Sequence, residues 1–233
     1  MLSNNVNSQA MLIHHHEKTG QVDVTSHRVI ELKGGRGFTL GAGRAFNQKD
    51  KQVLLDLLIG EEPKMEFLPT NLLVRSRGCL VWHIGPQVID VPFSSGQITA
   101  PIPGLIFVAT EGRSLRCFAY AGNKRPEPQT QLFYAPLGNV YESGDFCSGN
   151  VSLPSQILIE NIPTWERFVL ESTNTHNGSV APIKGAVGFE DMVTFYRNLA
   201  ASKAKRFPAN KLVPARLNGD KATLESVLRS TYQ

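Results

Sequence analysis

The sequence predicts an α+β fold: an antiparallel β-meander flanked by helices, with an added N-terminal strand pair. Two observations predict it. Between residues 67 and 134 the chain runs through short apolar or β-branched segments broken by Gly, Pro, Asn or Ser, which is strand-and-turn patterning. Before and after that stretch the apolar period lengthens to that of a helix, so strands and helices are segregated rather than alternating. The 233 residues are 41% hydrophobic and 19% charged, enough apolar chain to bury a core and too little charge for a disordered one.

The elements follow in order. Ala10 to His15 and Val22 to Leu32 flank a turn at Thr19-Gly20 and read as an antiparallel pair. The glycine cluster at 33–44 lacks the Gly-Lys-Ser/Thr ending of a phosphate cradle and reads as a connecting turn. Asn47 is an N-cap for a helix whose Val53, Leu54, Leu57 and Leu58 form one apolar stripe, with a stop at Gly60; this stripe is expected to pack on a sheet. The meander comprises LLVRS, CLVWHI, QVIDVPF, LIFVAT, SLRCFAY and QLFYA, with turns at Arg77-Gly78, Gly85-Pro86, Glu111-Gly112 and Gly122-Asn123.

From 135 to 154 no period survives, and the segment reads as a long irregular loop, a common location for function. Helices return at Pro163 to Ser172, where Trp165, Phe168 and Val169 share a face, and again from Gly188, where Glu190-Asp191 at the start suits the helix dipole. A linker over 207–219 leads to a short final helix. The expected domains are 1–46 (strands and glycine-rich turn), 47–206 (core) and 207–233 (linker and helix).

Charge and cysteines exclude several classes. Lys+Arg 24 against Asp+Glu 20 is a thin excess, weak ground for a nucleic-acid surface even with Lys203, Lys205, Arg206, Lys211 and Arg216 near the end. Three cysteines with no CxxC pair suggest neither a disulfide framework nor a cysteine zinc site. No segment has the apolar length of a membrane span, so a cytoplasmic protein without a membrane partner is expected. His14, His15 and His16 alternate along a strand and read as an exposed strand end, not a metal site; no metal or other cofactor is expected.

Cys79 and Cys117 fall inside strands and read as small apolar fillers, whereas Cys147 lies in the long loop between Gly144 and Gly149. In that loop Asn139 stands eight residues before Cys147 and Gly144 stands three before it, a spacing that resembles the active-site loop of ubiquitin-conjugating enzymes. The architecture from about 47 to 200 has the element order of that fold. Leu137-Gly138-Asn139 stands where those enzymes carry His-Pro-Asn, so the usual loop histidine and the stiff proline are both absent.

That departure resembles the prokaryotic ubiquitin-conjugating family D, the protein B components of PRTRC systems, whose members carry a histidine after the cysteine instead. His176, 29 residues beyond Cys147 in the segment Phe168-Val-Leu-Glu-Ser-Thr-Asn-Thr-His176, is the candidate. Thr25-Ser-His27, Leu40-Gly-Ala-Gly-Arg44 and Phe67-Leu-Pro-Thr-Asn-Leu-Leu73 resemble the same family.

The resemblance implies a carrier thiol. Cys147 accepts a ubiquitin-like protein as a thioester from a ThiF-like activating enzyme and passes it to an amine, with a JAB-type peptidase as a further partner in the same system. Asn139 is implied as an oxyanion donor or a loop-shaping residue, and His176 as a base or a loop-orienting residue. Two other readings remain open at this stage: a non-catalytic adaptor that binds a ubiquitin-like partner, and a nucleic-acid-binding accessory protein.

Overall fold

The computed structural model describes residues 8–32, 35, 37–59, 67–76, 78–112, 115–149 and 151–231. The expected helix stop at Gly60, the turn residue Arg77 and part of the 33–44 glycine cluster lie outside these. Contacts divide the chain into two compact units, 1–67 and 68–233.

In the first unit β1 (Gln9–His15) pairs antiparallel with β2 (Val22–Glu31), which also pairs with β3 (Phe38–Leu40) and β4 (Arg44–Ala45). Thr25-Ser-His27 and the 40–44 turn, distant in sequence, meet here: His27 Nδ1 is 3.0 Å from the Gly41 carbonyl, and its Nε2 is 2.9 Å from Thr25 Oγ1. Helix α1 (Gln48–Ile59) follows. Asn47 caps it reciprocally: the Asp50 N–H donates to Asn47 Oδ1 at 3.0 Å and the Asn47 N–H to Asp50 Oδ2 at 2.9 Å. The Arg44 guanidinium binds the same carboxylate and holds its pKa at about 2. Among the described stripe residues of α1, Val53 and Leu58 are exposed and Leu54 is half-buried, so within the first unit the expected packing of the stripe on a sheet is not seen; the polar clasp of Arg44, Asn47 and Asp50 fixes the helix start.

The second unit has β5 (Leu72–Ser76), β6 (Cys79–Ile84), β7 (Gln87–Phe93), β8 (Gly96–Ile102), β9 (Gly104–Thr110), β10 (Arg116–Tyr120) and β11 (Leu132–Tyr134). The helices α2 (Ile162–Glu171) and α3 (Phe189–Ala201), the short pair β12 (Arg216–Leu217) and β13 (Asp220–Lys221), and α4 (Leu224–Thr231) complete it. The meander is interrupted. The main sheet runs β11-β10-β9-β6-β5, and β7 and β8 leave it as a separate hairpin. That hairpin buries Val91, Phe93, Ala100 and Ile102 beneath α2 and α3.

Alternate residues of the main sheet face two cores. Leu80, Trp82, Leu105, Phe107, Cys117 and Ala119 turn toward α2 and α3; Cys79, Val81, Ile106, Val108, Phe118 and Tyr120 turn toward Ala215, Ala222, Leu224 and Val227. Residues 207–223 are therefore not the expected linker. Their backbone pairs with β11, as in Leu132 N to Ala222 O (2.9 Å) and Tyr134 N to Val213 O (3.0 Å), and they roof the second face together with α4. A strand buried on both faces needs apolar residues at every position, which is why these strands read as unbroken hydrophobic runs.

The first core centres on Trp82, stacked on Phe107 at 5.2 Å and on Trp165 at 5.5 Å. Its indole N–H donates to Glu166 Oε1 at 3.0 Å. Among the described residues no helix is long and apolar enough to cross a membrane.

Burial raises the Glu166 carboxyl, and the Trp82 bond opposes this with a smaller effect. A carboxyl raised by folding favours the protonated form, so its contribution is full below the unfolded pKa and is lost as pH rises through the folded one. Glu166→Gln is accordingly expected to stabilise the second unit more at pH 7 than at pH 4, read as the urea midpoint of Trp82 and Trp165 fluorescence; an equal shift at both pH values refutes the linkage.

Candidate functional site

The loop carrying Cys147 is a small hairpin held on two sides. Cys147 N donates to Asn139 O at 2.8 Å, Tyr141 N to Asp145 O at 2.9 Å and Gly144 N to Tyr141 O at 2.9 Å. This is a tight turn closed by a residue in the left-handed region, Gly144 at φ +86. Glycine is required there twice over, because an added Cβ would also stand 2.3 Å from the Phe118 ring.

One side of the hairpin lies on the end of the main sheet, with Cys117 N donating to Gly144 O and Phe146 N to Leu115 O, both at 2.8 Å. Phe146 and Val140 are buried in the first core, where Phe146 meets Phe168 of α2 edge-on at 5.2 Å. Leu137, at the position where the resemblance expects histidine, is buried in that core too, at 2% exposure. Just ahead of it, the buried Tyr196 hydroxyl of α3 donates to Pro136 O at 2.6 Å and fixes the entry into the loop.

The other side is covered by residues 173–179, which form a strap. Asn174 anchors the strap to β7, its backbone N and its Nδ2 both donating to Pro92 O at 2.8 and 2.7 Å. Strap and loop approach so closely that a Cβ on Gly178 would fall 2.0 Å from Val140 O, and one on Gly138 would fall 2.8 Å from Asn174 Cβ.

Asn139 fastens the two together. It is 7% exposed and sits at φ +62, a conformation asparagine tolerates better than most residues. Its backbone N donates to His176 O at 2.9 Å and its Nδ2 to Thr173 O at 2.8 Å. Its Oδ1 accepts from Thr175 N at 3.1 Å and Thr175 Oγ1 at 3.0 Å.

The three sequence candidates thus gather in one place. Cys147 is half-buried, while Cys79 and Cys117 are fully buried, and burial pushes the Cys117 thiol up. The Cys147 thiol is instead drawn down, by a hydrogen bond from the Tyr141 hydroxyl and a smaller one from the Gly149 N–H, both of which favour the thiolate. The same bond raises Tyr141, so the phenol keeps its proton and acts as donor. Among the described residues Cys147 and His176 share no hydrogen bond; the Tyr141 ring is 6.4 Å from the imidazole, whose Nδ1 is 3.0 Å from Thr175 Oγ1.

Tyr141 and Thr175 are the residues sequence reasoning missed. The local signal for Tyr141 was its place between the loop asparagine and the cysteine, in Asn139-Val-Tyr-Glu-Ser-Gly-Asp-Phe-Cys147. Among the described residues no three His, Cys, Asp or Glu side chains gather as a metal site. His14 contacts Thr25 and His16 contacts Asp23.

Set beside known proteins, residues 52–215 match the family described as Prokaryotic E2 family D. No curated protein and no solved structure matches the chain.

Two outcomes follow from this geometry. Asn139→Gly keeps the left-handed backbone and removes the side-chain bonds, so it is expected to lower stability by about 1–3 kcal/mol; Asn139→Ala should lose a further 1 kcal/mol or so through backbone strain. Urea midpoints of the two variants check the order. Tyr141→Phe should raise the thiol's pKa and slow iodoacetamide alkylation of Cys147 at pH 7 by about threefold or more. Superimposable pH–rate curves for variant and wild type would remove the hydroxyl from the sulfur's environment.

Proposed function

The chain belongs to the prokaryotic E2 family D, a ubiquitin-conjugating-like family, and from that membership we propose that it takes a ubiquitin-like protein as a thioester on Cys147 from a ThiF-like activating enzyme and passes it to an amine. The observation that carries this reading is the contrast among the three thiols: Cys147 is accessible and drawn toward its thiolate, and the other two are shut in the core. A thiolate is both nucleophile and leaving group, which a carrier needs and a structural cysteine does not.

In loading, the Cys147 sulfur forms a bond to the tail carbonyl while the activating enzyme's thiol leaves with its electron pair. In discharge, an amine nitrogen attacks that carbonyl, the C–S bond breaks and Cys147 departs as thiolate, stabilised by the donors that hold it in the free protein. Asn139 keeps the loop on the strap, and the second hydrogen of its Nδ2 is the donor this reading assigns to the oxyanion. His176 takes the amine's proton. By resemblance the protein works in the cytoplasm within a PRTRC-type system, with a JAB-type peptidase beside it.

The test is intact mass under non-reducing conditions after incubation with the cognate activating enzyme, its ubiquitin-like protein and ATP. Wild type is expected to gain one thiol-labile adduct, Cys147→Ser a thiol-resistant ester or nothing, and Cys147→Ala nothing. An adduct that persists in Cys147→Ala, or none on wild type with a demonstrably active activating enzyme, overturns the carrier reading in favour of an adaptor.

A further inference from the structure

Thr175 stands between two groups of the site. Its hydroxyl oxygen is 3.0 Å from Asn139 Oδ1 and 3.0 Å from His176 Nδ1. The other partners of Asn139 fix which end of its carboxamide faces Thr175: the nitrogen donates to the Thr173 carbonyl at 2.8 Å, and the oxygen accepts the Thr175 backbone N–H at 3.1 Å. An amide oxygen carries no hydrogen, so the hydrogen between it and the hydroxyl belongs to Thr175. A hydroxyl has only one. The remaining contact, Oγ1 to Nδ1, therefore takes its hydrogen from the imidazole.

We infer that Thr175 is a positioning residue that fixes neutral His176 as the Nδ1–H tautomer and leaves the Nε2 lone pair as the acceptor for the incoming amine's proton. The acceptor role rests on the carrier reading, whereas the tautomer is a property of this chain alone. In discharge the amine nitrogen forms its bond to the thioester carbonyl, the C–S electron pair leaves on Cys147, and the proton released from nitrogen goes to Nε2. The resulting imidazolium keeps its Nδ1–H bond to Thr175, whose own hydrogen stays on Asn139 Oδ1. The chain Asn139–Thr175–His176 thus needs no rearrangement during the step, and it ties the residue that shapes the loop to the one that accepts the proton.

The experiment is a long-range nitrogen–proton correlation spectrum of histidine-labelled protein at about pH 8.5, where histidine is neutral. His176→Gln identifies the His176 signals among the six histidines. Wild-type His176 is expected to be protonated on Nδ1. Thr175→Val keeps the branched shape and the backbone bond to Asn139 but loses the hydroxyl; the tautomer ratio should move about three- to tenfold toward Nε2–H, and Thr175→Ser should restore it. Discharge of the loaded protein to free lysine should slow by a similar factor in Thr175→Val, by more than loading does, and recover in Thr175→Ser.

Wild-type His176 protonated on Nε2, or a ratio unmoved by Thr175→Val, overturns the inference. So does a Thr175→Val protein that discharges at the wild-type rate. The spectra require no activating enzyme and no ubiquitin-like protein, so failure of the carrier reading and failure of the tautomer assignment are separate outcomes.

Discussion

Strand β9 has no face left for water: Leu105, Phe107 and Ala109 turn toward α2 and α3, and Ile106 and Val108 turn toward α4 and the segment leading to it. A sheet buried this way is a rigid slab, because each side chain is closely packed on both sides and shifting one strand disturbs two cores at once. The hairpin of Cys147 is bonded to the end of that slab through Cys117 and Leu115. Its position is therefore set by a sheet buried on both faces, although the sulfur itself is half-open to solvent.

The strap supplies the second half of the arrangement. A loop fixed on one side only would still hinge about its attachment. Residues 173–179 close the other side, anchored to β7 at Pro92 and to the loop at Asn139. Where ubiquitin-conjugating enzymes have a histidine and a proline ahead of this asparagine, the chain has Leu137 sunk into the core and Gly138 pressed against the strap. Apolar burial and close backbone packing thus order the loop, and an imidazole reaches the site from the strap instead. The loop is thus held by residues from three separate stretches of chain: its own, the end of the main sheet and the strap.

Local signals in the sequence were legible where the physics is local. Asn47 was readable as a cap because its partner Asp50 is three residues away, and α2 and α3 were readable from their apolar period. The special character of Cys147 was readable because a thiol among glycines in a loop differs from thiols inside apolar runs. The stripe on α1 misled, since an apolar period says that a face can be buried and not that a partner will cover it; Val53 and Leu58 are exposed. The 207–219 segment misled in the opposite sense. Pro208, Pro214 and Gly219 give it the look of a linker, yet Leu212 and Ala215 are buried and its backbone completes the sheet.

What the sequence by itself determined is the inventory: which stretches are strand or helix, that the class is α+β, and that Cys147, Asn139 and His176 are the candidates. Each depends on residues within a turn or two of one another or on a spacing along the chain. Only the tertiary structure decided that β7 and β8 leave the sheet, that the C-terminal segment roofs its second face, and that the Tyr141 and His176 rings meet beside the loop of Cys147. The meeting of Asn139 with Thr173 and Thr175 belongs to the same group, because it joins segments more than thirty residues apart. Such contacts are settled by which backbone groups and side chains remain unsatisfied once both cores have packed, a condition of the whole chain that no local period records.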